Sequence, residues 1–312
     1  MSTKESQEAP ASQKAQSQLA PEHIKSVVNY YDSTWFDYRI VWVSRRSWNG
    51  MHWGYWDEDT RNHAQSTINM NRQVAEAAQL RPGMRVLDAG CGNGGTAAWI
   101  AVHHQVHVTG ITLSAAQAER ATRYARKRKV AELTEFRVMD FTAMDFPDGS
   151  FDVLWAQESV CHAPLEGKQV FLREAYRALK PGGRLVVEDW FRRGRPYSEK
   201  DERLLHRWLD GWAIDDLATG DEFVDWSVAS GFEDVRMRDV TRQALPSMRR
   251  LRRLALASYP LALLMRAVGI RSAAQHGNLK AARLAWPAHK RCLWFIGIYS
   301  ATKPVGSPQA GR

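Results

Sequence analysis

VLDAGCGNGG, residues 86–95, decides the fold. Its first half is a short apolar run, of the kind that forms a strand buried on both faces. Its second half sets Gly90, Gly92, Gly94 and Gly95 ahead of the helical stretch GTAAWIAVHH, 95–104. Glycines between a strand and a helix let the backbone turn tightly and approach a ligand closely. Outward from there the rhythm repeats. QVHVTGI (105–111) reads as a second strand and SAAQAERATRYARKRKV (114–130) as a basic amphipathic helix. TEFRVMD (134–140), FDVLWAQ (151–157) and GRLVVEDW (183–190) read as further strands, the last after a turn KPGG, with the helix GKQVFLREAYRAL (167–179) between them. This alternation predicts an α/β fold with a parallel sheet covered on both faces. Residues 200–219 read as helical and FEDVRMRDV (232–240) as a sixth strand. A basic helical insertion spans 246–290, and CLWFIGIYSATKP (292–304) closes the sheet.

The 312 residues suit one large domain with a lid. Cys91, Cys161 and Cys292 are odd in number and share no C-x-x-C spacing, so neither a disulfide framework nor a zinc site is expected. The first twenty residues are polar and small and lack the apolar core of a signal peptide, which predicts a disordered tail over 1–21 and a cytoplasmic protein. The longest apolar stretch, 254–270, is broken by Pro260 and Arg266 and falls short of a span. From Val240 onward there are 13 Lys/Arg and no Asp or Glu, whereas the remainder holds 30 basic against 34 acidic residues. The net charge of +9 thus comes from the last quarter, which points to an anionic contact.

Gly90, Gly92 and Gly95 also satisfy the dinucleotide pattern G-x-G-x-x-G. Two features argue against a dinucleotide. Asp88 stands at the strand end, where it repels a pyrophosphate and suits a cation such as the ammonium and sulfonium of S-adenosylmethionine. The segment after the second strand, GITLSAAQ, carries no carboxylate for a nicotinamide ribose; Thr112 and Gln117 offer hydrogen bonds instead. Ser114 and Gln117 also have the spacing of a helix capping box.

VLDAGCGNGG, FDVLWAQES and ALKPGGRLVVED, in order and at these separations, resemble the class I S-adenosylmethionine-dependent methyltransferases over roughly residues 30–190. The resemblance implies a Rossmann-like seven-stranded sheet with an antiparallel last strand. It implies that Asp88, Gly90 and Gly92 line the methionine end of the cofactor, and that Asp140 and Phe141 flank the adenine; Gln157 joins the cofactor contacts. GITLSAAQ is similar to a segment of cyclopropane fatty acid synthases, ESVCHAP to one of sterol C-24 methyltransferases, and GMHWGYWDED to one of tocopherol methyltransferases. By this resemblance Tyr31 and His52 lie close to the cofactor, and Glu158 and His162 match acidic and imidazole positions. The expected domains are an aromatic helical lid at 22–80, a cofactor-binding core at 81–240, a basic lid insertion at 241–291, the last strand at 292–304 and a tail at 305–312.

Residues 30–56 hold ten aromatics, among them Trp35, Trp42, Trp48, Trp53 and Trp56. Such rings either pack the lid or line an apolar pocket and stabilise a cation. Glu158 follows the fourth strand, where α/β sheets bind ligands, and a carboxylate in an apolar pocket is a base near neutrality. His162 is a second candidate for that role or a positioning residue. The basic segment, from SMRRLRRLALASYPL onward, reads as an interfacial helix pair on anionic lipid, as a lid helix with a solvated basic face, or as a grip on a diphosphate. Nucleic acid is not expected, since no RNA-reading motif is present. The expected activity is methyl transfer from S-adenosyl-L-methionine to a lipophilic small molecule, with C-methylation of an isoprenoid leading. O- or N-methylation of a natural-product ring and cyclopropane formation are the alternatives.

Overall fold

The computed structural model of the chain describes residues 17–306. Residues 1–16 and 307–312, in the expected tails, lie outside it; of residues 17–20, Leu19 is buried and the other three are exposed.

Seven strands form one sheet: β1 (Arg85–Ala89), β2 (His107–Thr112), β3 (Thr134–Val138), β4 (Phe151–Gln157), β5 (Leu179–Arg192), β6 (Glu233–Asp239) and β7 (Trp294–Thr302). Their order is β3-β2-β1-β4-β5-β7-β6, and β7 runs antiparallel to both β5 and β6. β1, β4 and β7, none of them an edge strand, are buried almost without interruption, which is why they read as continuous apolar runs; the edge strands β3 and β6 are mostly exposed. The expected KPGG turn falls inside β5. Phe151 pairs with Leu179 and Val153 with Arg184, so residues 180–183 bulge out of register, with Gly182 at φ 76°.

Helices α1 (Pro21–Val41), α2 (His63–Ala78), α3 (Gly95–His104), α4 (Ala115–Arg128), α5 (Leu165–Ala178), α6 (Glu199–Leu209), α7 (Gly220–Ala229), α8 (Thr241–Ala267) and α9 (Ala273–Lys290) surround the sheet. The helix expected over 200–219 is shorter. α6 gives way to a tight turn at Asp210–Trp212, and Ala213 takes a left-handed φ of 54° that ends the helical path. α7 was not foreseen, although Thr219 and Glu222 form a reciprocal capping box at its start.

The N-terminal segment and the insertion, far apart in sequence, close on each other above the strand ends. Arg271 grips Asp37 of α1 with both terminal nitrogens, at 3.2 and 2.5 Å. Arg250 of α8 donates to the Val41 carbonyl at 2.8 Å, and Tyr30 of α1 donates to Asn278 of α9 at 3.1 Å.

Candidate active site

β1 and β4 are neighbours whose connections leave in opposite directions, so a crevice opens at their carboxyl ends. The glycine turn follows β1 and the Glu158 segment follows β4. Ser159 ties the two together, its hydroxyl donating to the Ala89 carbonyl at 2.6 Å. Gly90 is fixed twice over: its φ is 99°, and a Cβ there falls 2.2 Å from that of Ser159.

The crevice brings eleven of the twelve sequence-predicted residues to one wall or another: Tyr31, His52, Asp88, Gly90, Gly92, Thr112, Gln117, Phe141, Gln157, Glu158 and His162. Asp140 is not among its lining residues. Its carboxylate accepts from the Thr142 amide at 2.8 Å and from the Ser17 hydroxyl, at the outer edge of the β3 loop.

Several lining groups lack protein partners. Asp88 is 2% exposed, its Oδ2 accepts no hydrogen bond, and burial alone pushes its pKa up to about 7. Gln157 Nε2 is likewise unpartnered. His52 Nδ1 donates to the Trp53 carbonyl at 2.9 Å, which leaves Nε2 a bare acceptor; burial holds its pKa down at about 4. Only half of the expected capping box forms. Ser114 Oγ accepts from the Gln117 amide at 3.1 Å, but the Gln117 side chain turns away and accepts from the Thr112 hydroxyl at 2.6 Å. An unpaired buried carboxylate, a glycine turn without side chains, amide and hydroxyl groups, and apolar Ile111, Met139 and Phe141 fit a cationic, ribose-bearing, aromatic cofactor.

A second cavity of about 400 Å³ lies between the lid and the sheet. Trp42, Trp53, Trp190 and Trp212 line it with Tyr30, Ile214, Leu251 and Ala282. Of the five tryptophans singled out in the N-terminal segment, Trp42 and Trp53 reach this cavity. Trp48 and Trp35 pack under Arg128 and Arg120, and Trp56 donates to Ser247 at 2.8 Å. The lining tryptophans also pack together, with Trp53 edge-on to Trp42 and Trp190 at 5.3 Å, so packing and lining coexist.

Tyr31, Tyr38, Met51, Glu158 and His162 line both cavities. Glu158 Oε1 accepts from the Trp53 amide at 2.5 Å, and Glu158 takes the left-handed φ of 48°. Burial raises its pKa well above the carboxylate range, against the Trp53 amide and with help from Asp189. His162 does not share an α-helical turn with it; the segment is a tight turn, Val160–His162. His162 Nδ1 faces the Ala213 carbonyl at 3.2 Å, and a carbonyl only accepts, so Nδ1 carries the proton. Nε2 therefore accepts from the Tyr31 hydroxyl at 2.7 Å. Burial depresses this imidazole to about 4, so it is neutral at physiological pH.

Lys168 was missed by the sequence reading. It is 2% exposed and donates to the carbonyls of Cys161, Ala163 and Asp216, while Asp189 accepts from the Cys161 amide at 2.9 Å. Together they clamp the turn that carries His162. On an amphipathic helix a lysine reads as solvated, so no local signal marked it. Tyr38 was legible: seven residues beyond Tyr31, it falls on the same helix face. Among the described residues no group of three His, Cys, Asp or Glu is placed to hold a metal ion.

The family described as "Methyltransferase domain" matches residues 87–187. The chain is 34% identical to 27-O-demethylrifamycin SV methyltransferase of Amycolatopsis mediterranei, over 63% of this chain and 71% of that protein. It is 35% identical to 2-methyl-6-phytyl-1,4-hydroquinone methyltransferase of Synechocystis sp., over 71% of this chain and 70% of that one. Among solved structures, the cyclase SpnF superposes with a TM-score of 0.74 at 27% identity, covering 91% of this chain and 97% of its own.

Proposed function

This chain belongs to the class I S-adenosylmethionine-dependent methyltransferases, in the branch of the sterol, tocopherol and cyclopropane enzymes, and from that membership we propose that it C-methylates a lipophilic isoprenoid acceptor. The observation that carries the reading is the wall of five residues shared by the cofactor crevice and the aromatic cavity. Two substrates held on either side of such a wall meet at it, which replaces a bimolecular encounter with positioning. Asp88, Gly90, Gly92 and Gln157 are assigned to the methionine end of the cofactor, Thr112 and Gln117 to its ribose, and Phe141 to its adenine, while Asp140 stays engaged with Thr142 and Ser17 outside the crevice. Tyr31 and His52 close the crevice from the N-terminal side.

Bound there, S-adenosylmethionine supplies a methyl group on a cationic sulfur, open to direct displacement. The chain's own part is to orient the acceptor, exclude water and handle the proton. Rings of Trp42, Trp53, Trp190 and Trp212 stabilise positive charge on an acceptor carbon by about 0.5–2 kcal/mol per contact. Burial keeps the proton on Glu158 in the free protein; in its ionised form, which a cation in the crevice beside it favours, Glu158 takes up the proton that a methylated alkene loses. Arg271, the one arginine lining the cavity among the described residues, is already paired with Asp37, which favours a neutral acceptor over a diphosphate.

A second reading, O-methylation of a hydroxyl, draws on the Tyr31–His162 hydrogen bond. A neutral Nε2 acceptor at the wall is suited to draw the proton from an acceptor hydroxyl, directly or through Tyr31. The name of the Amycolatopsis relative, which states an O-demethylated substrate, points the same way. The test is incubation with trideuteromethyl-labelled cofactor and a lipid extract, with the label located by NMR in the purified product. A label on carbon supports the first reading, and a label on oxygen replaces it with the second. An extract that takes up no label removes both.

A further inference from the structure

The second half of α8 packs on α9 along one side and leaves its other side exposed. Beyond Leu251 only Ala255 and Ala262, seven residues apart, are buried; Arg252, Tyr259 and Met265 are half-buried, with Tyr259 against His276 and Arg283 of α9, and the other side chains are exposed. Thirteen large apolar side chains are exposed among the described residues. Two of them are on α1, five on α8 and two just beyond α8, so nine of the thirteen fall on these neighbouring segments. Phe36 is 61% exposed, Ile40 65%, Leu261 61% and Ile270 68%. Phe36, Ile40, Leu254 and Leu261 also line the aromatic cavity, so the rim of its mouth is exposed and apolar.

A soluble surface seldom leaves such a patch without an occupant. The charge around it selects one. Arg39, Arg253 and Arg266 are exposed on these segments, no acidic residue follows Val240, and Asp37 at the rim is neutralised by Arg271. No described helix is long and apolar enough to cross a membrane. Apolar side chains flanked by arginines, on a helix that cannot span, are the pattern of a surface that lies in the boundary of a bilayer.

We propose that the edge formed by the second half of α8, the turn after it and the outer face of α1 docks on an anionic lipid bilayer, with the cavity mouth turned into the lipid. The docking needs no acceptor. That the acceptor enters the cavity from the bilayer rests on the lipophilic substrate proposed above.

The test is sedimentation of the full chain, without acceptor, with vesicles of phosphatidylcholine alone or mixed with phosphatidylglycerol. The protein is expected to pellet with the mixed vesicles, to be released by salt, and to stay in solution with phosphatidylcholine alone. The double variant Leu264→Glu, Ile270→Glu is expected to bind the mixed vesicles at least about tenfold more weakly, since each charge opposes burial in the boundary. Its circular dichroism and melting temperature, and its cofactor binding, should match the parent. Parent protein that ignores both vesicle types overturns the proposal, as does a variant that binds equally well. Dimers by light scattering that the variant dissolves, with no vesicle binding by either, assign the edge to self-association. Cofactor binding reads the methyltransferase assignment separately, so failure of one is distinguishable from failure of the other.

Discussion

Glu158 occupies a backbone conformation that costs a side-chain-bearing residue about 1–2 kcal/mol. It is retained there because its amide donates to the Glu188 carbonyl at 2.7 Å while its carboxyl receives the Trp53 amide. The sequence placed this residue at a strand end beside a ligand crevice. It could not show the left-handed turn or the Trp53 contact, because both depend on a segment brought in from the N-terminus. Glu158→Gln keeps the shape and removes the base, so turnover is expected to fall roughly a hundredfold. Cofactor-product affinity by calorimetry should stay within a few-fold of the parent; unchanged turnover takes Glu158 out of the chemistry. Asp88 makes a prediction of its own. Held up at about 7 by burial without a partner, it is largely protonated below that pH. A cation binding beside it favours the carboxylate, so binding must expel the proton. Calorimetry near pH 6 in buffers of different ionisation heat should register proton release on cofactor binding, and Asp88→Asn should reduce it. No buffer dependence in the parent contradicts the assignment.

At the scale of elements, legibility followed burial. Strands covered on both faces announced themselves as continuous apolar runs, and β6 showed through alternation in FEDVRMRDV. KPGG looked like a turn because its glycines and proline suit one; β5 resumes register beyond it only through pairing with β4. α7 carries mixed polar and apolar residues with little face, so only its cap gave it away. The start of α3 illustrates contact that no pattern encodes. Gly95 faces the 44–50 turn, and a Cβ there meets the Trp48 carbonyl oxygen at 2.3 Å. Gly95→Ala must push that turn, and with it Asn49 and Gly50 of the crevice rim, outward. The expected loss is about 1–3 kcal/mol in urea unfolding, with weakened cofactor binding. A variant as stable as the parent shows that the turn yields freely.

Over the whole molecule, two sets of buried groups pull stability in opposite directions with pH. His52, His63 and His162 are each pushed down to about 4 from 6.5, burial first. Between those values the unfolded chain binds protons that the fold refuses, so stability rises with pH, and above 6.5 this contribution is complete. Asp88, Glu158 and Glu188 are raised, again chiefly by burial. The fold keeps their protons where the unfolded chain has lost them, so they make stability fall as pH rises. Asp88 alone, from 3.8 to about 7, represents roughly 4 kcal/mol. Below 6.5 the sets oppose each other; between 6.5 and about 7 the carboxyls prevail, and from about 8 upward buried Lys168, lowered from 10.5, opposes them again. The melting temperature of the cofactor-free protein is expected to decline as pH rises from about 6.5 through 7, and the cofactor product should flatten that decline. A melting temperature that climbs across this interval contradicts the balance.

The common wall constrains anyone who would redesign this protein to accept other compounds. Altering Tyr31, Tyr38, Met51, Glu158 or His162 reshapes both chambers at once, so selectivity gained there comes with a changed hold on the methyl source. Leu251, Ala255, Leu279 and Ala282 border the aromatic chamber alone. They are the positions from which acceptor range can be retuned while the other half of the reaction is left as it stands.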